Sequence, residues 1–225
     1  MDIKRFFRAM GIDMWILLAF ACGMFYMSAR DFVVSLKPII SFEDMLNGEE
    51  LKVGSHVEGN VPFIIDYFAT ETSTTKYKDG STRSSKNGRY YLIPTATGYV
   101  GLKGREVDVS ELGKITDETY EYLMGGPEPT TEKYMTGVVD PMDDELAGYF
   151  YEYLEDMGYT QSELDAMGEP LVIKFVSFTA VRIMFAISIF LLILTVFLII
   201  RKYKKEGQGS GLKRAEDLPS QRIEL

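Results

Sequence analysis

The side chains best suited to chemistry are few, and their spacing argues against catalysis. His56 is the single histidine of the chain. A Ser/His/Asp relay needs an imidazole turned towards a nucleophilic hydroxyl. Ser55 stands beside it in sequence, and neighbours along a chain rarely point the same way. Cys22 is the single cysteine and lies inside an apolar run, so position excludes a Cys/His pair and disulfides within the rest of the chain. His56 reads as a strand-edge or loop residue. Asp140, Asp143 and Asp144 form an acidic cluster, but the turn glycine and the spaced bidentate glutamate of a calcium loop are missing. A helix start explains them: Asp140 as cap, Pro141 at the first position, and acids in the first turn. Glu152, Glu155 and Asp156, beside Tyr151 and Tyr153, sit too close in sequence to face each other across a glycosidic bond. They read as the solvated side of one helix. No metal or cofactor is expected.

One cluster reads as a binding surface. Lys76, Lys78, Arg83, Lys86 and Arg89, interleaved with Tyr77, Tyr90 and Tyr91, form the single basic-aromatic patch of an acidic chain. Such a surface on a small barrel can hold single-stranded nucleic acid. Outside a membrane the matching partners are lipid headgroups, anionic envelope polymers or another envelope protein, not nucleic acid. The plain alternative is an exposed hairpin kept soluble by its charge.

The elements that must position this patch are set by two apolar runs. Ile183 to Ile200 carries no charge. With Ser177 to Val181 and a snorkelling Arg182 it is long enough to cross a hydrocarbon core as a helix. Met14 to Ala29 is shorter but continues past Arg30 and Asp31 into Phe32, Val33 and Val34. It overshoots a signal core and lacks a good cleavage site, so it reads as a retained anchor. Ala19 and Gly23 form a small-xxx-small pair suited to close packing between the spans or between two copies.

The divisions are a cytoplasmic start (1–10), a first span (11–36), a central domain (37–176), a second span (177–200) and a disordered basic tail (201–225). The stretch from 30 to 174 holds 27 acidic and 13 basic side chains, and Lys and Arg gather at the chain ends. That distribution puts both termini in the cytoplasm and the central domain outside.

Within the domain, β-formers come first, divided by Gly, Asn and Asp. Asp79-Gly80 and Asn87-Gly88 read as turns, with a projecting hairpin tip between them. Helices follow. Thr116 is taken as an N-cap, the face Leu146, Phe150, Tyr153, Leu154 marks a second helix, and Thr160 to Glu163 is a capping box for a third. Leu171 to Phe175 reads as a last strand. The fold class is α+β: two transmembrane helices flanking a small extracytoplasmic β-barrel-like domain, of the oligonucleotide/oligosaccharide-binding (OB) type, with helical insertions.

In plan, and in the segments Gly88-Arg-Tyr-Tyr-Leu-Ile-Pro94 and Thr136-Gly-Val-Val-Asp-Pro141, the chain resembles uncharacterised two-pass envelope membrane proteins of Gram-positive bacteria. The resemblance implies no activity. The expected function is that of a non-enzymatic, two-pass membrane protein whose outer domain binds a partner within an envelope complex, with homo-oligomers open to it. The alternative is a membrane-anchored envelope hydrolase using carboxylates alone. The orientation has a direct test. With Ser81→Cys and Ser210→Cys placed singly in a Cys22→Ser background, an impermeant maleimide on intact cells is expected to label position 81 and not 210; the reverse pattern overturns it.

Overall fold

Tyr91, Leu92 and Ile93 are consecutive and each is at most 1% exposed. Successive side chains on a strand point to opposite faces, so this strand must be covered on both. The structure, a computed structural model, describes residues 11–216. It meets that demand with one open, mixed sheet between helical layers.

The strands are β1 (Ile39–Ile40), β2 (His56–Asn60), β3 (Tyr67–Lys76), β4 (Thr82–Thr95), β5 (Gly98–Arg105), β6 (Tyr134–Pro141) and β7 (Leu171–Phe175). They lie in the order β1-β2-β6-β7-β5-β4-β3. β1 pairs parallel with β2, and β5 parallel with β7; the other pairs are antiparallel. The helices are α1 (Ile12–Val34), α2 (Phe42–Leu46), α3 (Val109–Leu123), α4 (Asp144–Asp156), α5 (Gln161–Met167) and α6 (Phe178–Glu216).

On one face Leu112 and Ile115 of α3 and Phe42 and Met45 of α2 pack on Tyr91, Ile93, Leu102, Val139 and Ile173. On the other, Leu146, Phe150 and Leu154 of α4 and Leu164 of α5 pack on Leu92 and Val172. Neighbours along β4 and β7 thus enter different cores. The rest of that second face, over Val138 of β6, is covered by Val34 and Phe178, where the chain joins its long terminal helices.

The expected OB-type barrel is therefore corrected. β1 and β3 are the free ends of the sheet and do not pair. A small barrel has one filled interior and leaves the outer residues of each strand to solvent; these central strands are apolar on both sides. The α+β class holds.

Other differences are local. Asn87-Gly88 is not a turn. Gly88 pairs with Glu71 and Lys86 with Thr72, which leaves Asn87 as the extra residue of a bulge. Thr116 is not a cap but lies within α3, its Oγ1 donating to the Leu112 carbonyl at 3.0 Å. Pro141 ends β6 instead of opening a helix, and α4 is capped by Asp143, whose carboxylate accepts from the Leu146 N–H at 2.9 Å. The Thr160/Glu163 capping box is present.

The terminal helices α1 and α6 form a separate compact unit. Both are long and apolar enough to cross a membrane. Small residues are buried between them: Ala21 and Ser28 on α1, Ser188 and Thr195 on α6. Each pair is two turns apart, so it makes one stripe along its helix. The hydroxyls are satisfied within their own helices, Ser28 on Met24 at 2.8 Å and Thr195 on Leu191 at 2.7 Å. Phe32 stacks on Phe185 with ring centroids 3.9 Å apart. The helix from Phe178 continues to Glu216, through the first part of the region expected to be a disordered tail; residues 217–225, and 1–10, lie outside the described residues.

Two glycines give opposite tests of this packing. A Cβ on Gly88 meets the Gly104 carbonyl oxygen at 2.1 Å, whereas one on Gly113, within α3, meets nothing within 4 Å. Gly88→Ala is expected to destabilise the protein by about 2 kcal/mol or more. Gly113→Ala is expected to stabilise it by about 0.5–1 kcal/mol. Denaturant midpoints of the full chain check both.

Candidate functional site

β4 is longer than the strand beside it. Its pairing with β5 ends at Gly88 opposite Arg105, so Thr82 to Asn87 pair with β3 alone. Together with Thr72 to Lys76 they make a two-stranded ribbon that overhangs the sheet. Residues 74–87 are all exposed. The ribbon turns at Tyr77 to Ser81, where the Asp79 carboxylate accepts from the Ser81 N–H at 2.9 Å and its hydroxyl at 2.7 Å. Those bonds hold the Asp79 carboxyl below the usual range. Thr74 and Ser84 hydroxyls meet across the strands at 3.0 Å.

Of the eight residues of the basic-aromatic patch, Tyr91 is buried in the core and Tyr77 stands exposed at the ribbon's turn; the other six fall into two groups. Lys76, Lys78, Arg83 and Lys86 are on the ribbon, and none is in an ion pair among the described residues. The register puts Lys76 and Lys86 on one face with Thr72 and Thr74, and Arg83 on the other with Thr75. Arg89 and Tyr90 belong to the ribbon's root, where each is already engaged. Arg89 lies over the Tyr67 ring at 4.5 Å, and Lys103 lies over the Tyr90 ring at 5.5 Å while pairing with Glu71 at 2.8 Å. Ala19 and Gly23 are both exposed on α1, away from the stripe that meets α6.

Beside the root lies a groove of about 660 Å³. One wall is the outer side of β3 from Tyr67 to Thr72; the other is the start of α4, with Asp143, Glu145, Leu146 and Tyr149. A second cleft of about 400 Å³ opens at the other end of the sheet, between the Thr95–Thr97 turn, residues 48–53 and residues 167–169. Its inner wall includes Tyr99, whose hydroxyl meets that of Tyr159 at 2.9 Å. Burial, with that contact, pushes Tyr99 up to about 12.

Two buried polar clusters were not legible in the sequence. His56 is 1% exposed, not a loop residue. Its Nε2 is 2.9 Å from a Glu58 carboxylate oxygen, and the other oxygen accepts from the Tyr134 hydroxyl. Its Nδ1 is buried without a hydrogen-bond partner, and its ring lies 3.9 Å from the Phe178 ring. Neither cleft is lined by it. Asp108, 1% exposed, accepts from Arg105 at 2.7 Å and Lys133 at 2.8 Å, and Lys133 also pairs with Glu111. Arg105 in turn covers the Phe175 ring at 3.9 Å. Arg105, Asp108 and Glu111 are close in sequence, as are His56 and Glu58, but the fold is needed to bring Lys133 and Phe175 to the first group and Tyr134 and Phe178 to the second.

Asp140 lies 3.4 Å from Lys174, Asp143 caps α4, and Glu152, Glu155 and Asp156 are exposed along it. No group of His, Cys, Asp or Glu suited to a metal ion occurs among the described residues.

The class these features define is an α+β domain joined at both ends to long apolar helices, with an exposed basic ribbon. The chain belongs to the family described as a domain of unknown function (DUF8577), whose model matches residues 4–201. No curated protein matches it, and neither does any solved structure.

The Asp108 cluster generates a pH test. Burial alone would raise its carboxyl, but the hydrogen bonds from Arg105 and Lys133 outweigh burial and hold it below the usual carboxylate range. A carboxyl depressed in the folded state stabilises fully above its unfolded value of about 3.9 and loses that contribution as pH falls through the folded value. Asp108→Ala is expected to cost about 2 kcal/mol at pH 7, by removing the buried carboxylate to which Arg105 and Lys133 both donate from partly exposed positions. The gap between the two proteins is expected to narrow below about pH 4. Unfolding midpoints from pH 7 to 3 measure it.

Proposed function

We propose that this protein is a two-pass membrane protein without enzymatic activity, whose domain faces outward and binds an anionic partner through the β3–β4 ribbon. The supporting observation is the ribbon itself. It carries four cations and one carboxylate from Thr72 to Asn87 on a chain of net charge −9. A two-stranded ribbon without a packed face is at best marginally stable in water, so an ordered overhang of this kind suits a contact element. Basic side chains on an acidic body attract anions that the rest repels. The orientation rests on the Lys and Arg near the ends of the two apolar helices.

The partner chemistry is a surface of dense negative charge: phospholipid headgroups or an anionic envelope polymer. The quadruple variant Lys76→Ser, Lys78→Ser, Arg83→Ser, Lys86→Ser distinguishes them when tested on anionic liposomes and on isolated wall polymer. Retention is expected to fall on the true partner and to fall for the native protein with salt, since the Debye length is about 3 Å at 1 M. Unchanged retention on both, with the circular dichroism spectrum intact, removes the ribbon as the contact.

A further inference from the structure

The outer side of β3, ten residues long, is the longest free edge of the sheet among the described residues, since the opposite edge, β1, has two residues. A free edge presents backbone N–H and C=O groups that another extended chain can pair with. Edges are ordinarily guarded by lysine or proline. The ribbon tip has such lysines, but Tyr67-Phe-Ala-Thr-Glu-Thr72 has no Lys, Arg or Pro. That run, free of guarding charges though bulged at Phe68, is also one wall of the groove facing α4. An edge strand beside a helix, with a groove between them, takes an added strand whose alternate side chains enter the groove. The side chains waiting there are Tyr149, 48% exposed, and the carboxylates of Asp143 and Glu145. They fit a strand of small polar and basic residues.

Such a strand exists in this chain. Thr82-Arg-Ser-Ser-Lys-Asn87 pairs with β3 on one side only, so its other edge is free. It is six residues long, as is the groove run, about 20 Å at strand rise. Whichever face turns towards α4, a cation meets the carboxylates: Arg83 on one side, Lys86 on the other. Ribbon pairing with ribbon is disfavoured, because it sets like charges together.

We propose that the groove between β3 and α4 receives the β4 side of the ribbon of a second copy, which adds as a strand to the β3 edge. The contact joins two different surfaces, so it propagates head to tail. The inference rests on the reading of the ribbon as the contact element and names an acidic acceptor for it on another copy.

The test uses the full chain in detergent, in a Cys22→Ser background. Chains bearing Thr72→Cys are mixed with chains bearing Thr82→Cys or, separately, Asn87→Cys, the positions that face Thr72 when the two six-residue runs align antiparallel or parallel, and the disulfide is quantified. A cross-link with one of the two is expected, reduced roughly tenfold when the Thr72→Cys chain also carries Glu145→Lys. It is expected to return when that chain meets the same partner chains carrying Arg83→Glu and Lys86→Glu. Tyr149→Ser, which keeps all charges, is expected to weaken it too. Glu145→Lys is expected not to lower retention on liposomes or polymer, which separates this proposal from the one above. Absence of the cross-link with monomeric sedimentation, or a cross-link indifferent to Glu145→Lys and Tyr149→Ser in chains that melt like the parent, overturns the second copy as occupant.

Discussion

Burial of both faces of the central strands is the constraint on which the rest of this structure depends. A strand that is apolar on alternate residues needs one partner layer; β4 and β7, apolar on consecutive residues, need two. Val172 and Ile173 are adjacent and enter opposite cores. The position of every helix follows. α2 and α3 close one face, α4 and α5 close half of the other, and the segments leading to the terminal helices close the remainder. The ribbon is where this rule lapses. Beyond Gly88 the strands lose their apolar residues, their third strand and their helical cover together, and what continues is a polar, basic overhang.

Most elements were legible because their signals are local. The capping box at Thr160, the apolar face of α4, the strand at Leu171 to Phe175 and the turn at Asp79-Gly80 each follow from residues within a few positions of one another. The misreadings come from residues whose local preference was overruled from far away. Asn87-Gly88 is a strong turn dipeptide, yet β5 runs beside it, and the missing Cβ of Gly88 serves the close approach of the Gly104 carbonyl. Pro141 can open a helix, but it sits at a strand end, opposite Leu171. The barrel was misread for a related reason: strand count is local, while closure depends on whether the first and last strands meet.

The candidate surface was half legible. A run of Lys, Arg, Ser and Thr between β-formers announces an exposed hairpin, and five of the eight residues named from it, Tyr77 included, stand on the ribbon, while Tyr91 is buried in the core. Arg89 and Tyr90 do not, because they lie past the point where β5 joins, and their rings and charges are engaged by Tyr67 and Lys103. The groove beside them was invisible. Its two walls, β3 and the start of α4, are separated by some seventy positions in the chain. The buried Asp108 and His56 clusters were hidden likewise, since charged and imidazole side chains announce burial only through partners that folding supplies.

The strand order has a consequence for assembly in time. β7 is the last strand of the domain in sequence and the middle one in space, with β1, β2 and β6 on one side and β5, β4 and β3 on the other. Those two groups share no ladder except through it. During synthesis each can pair internally, but both await a five-residue segment made immediately before the C-terminal apolar helix. Until then two half-sheets coexist, each with an edge open to the wrong neighbour. The domain thus becomes one cooperative body late, when the chain reaches Phe175, and the step that completes its fold is the one that delivers the chain to its final helix.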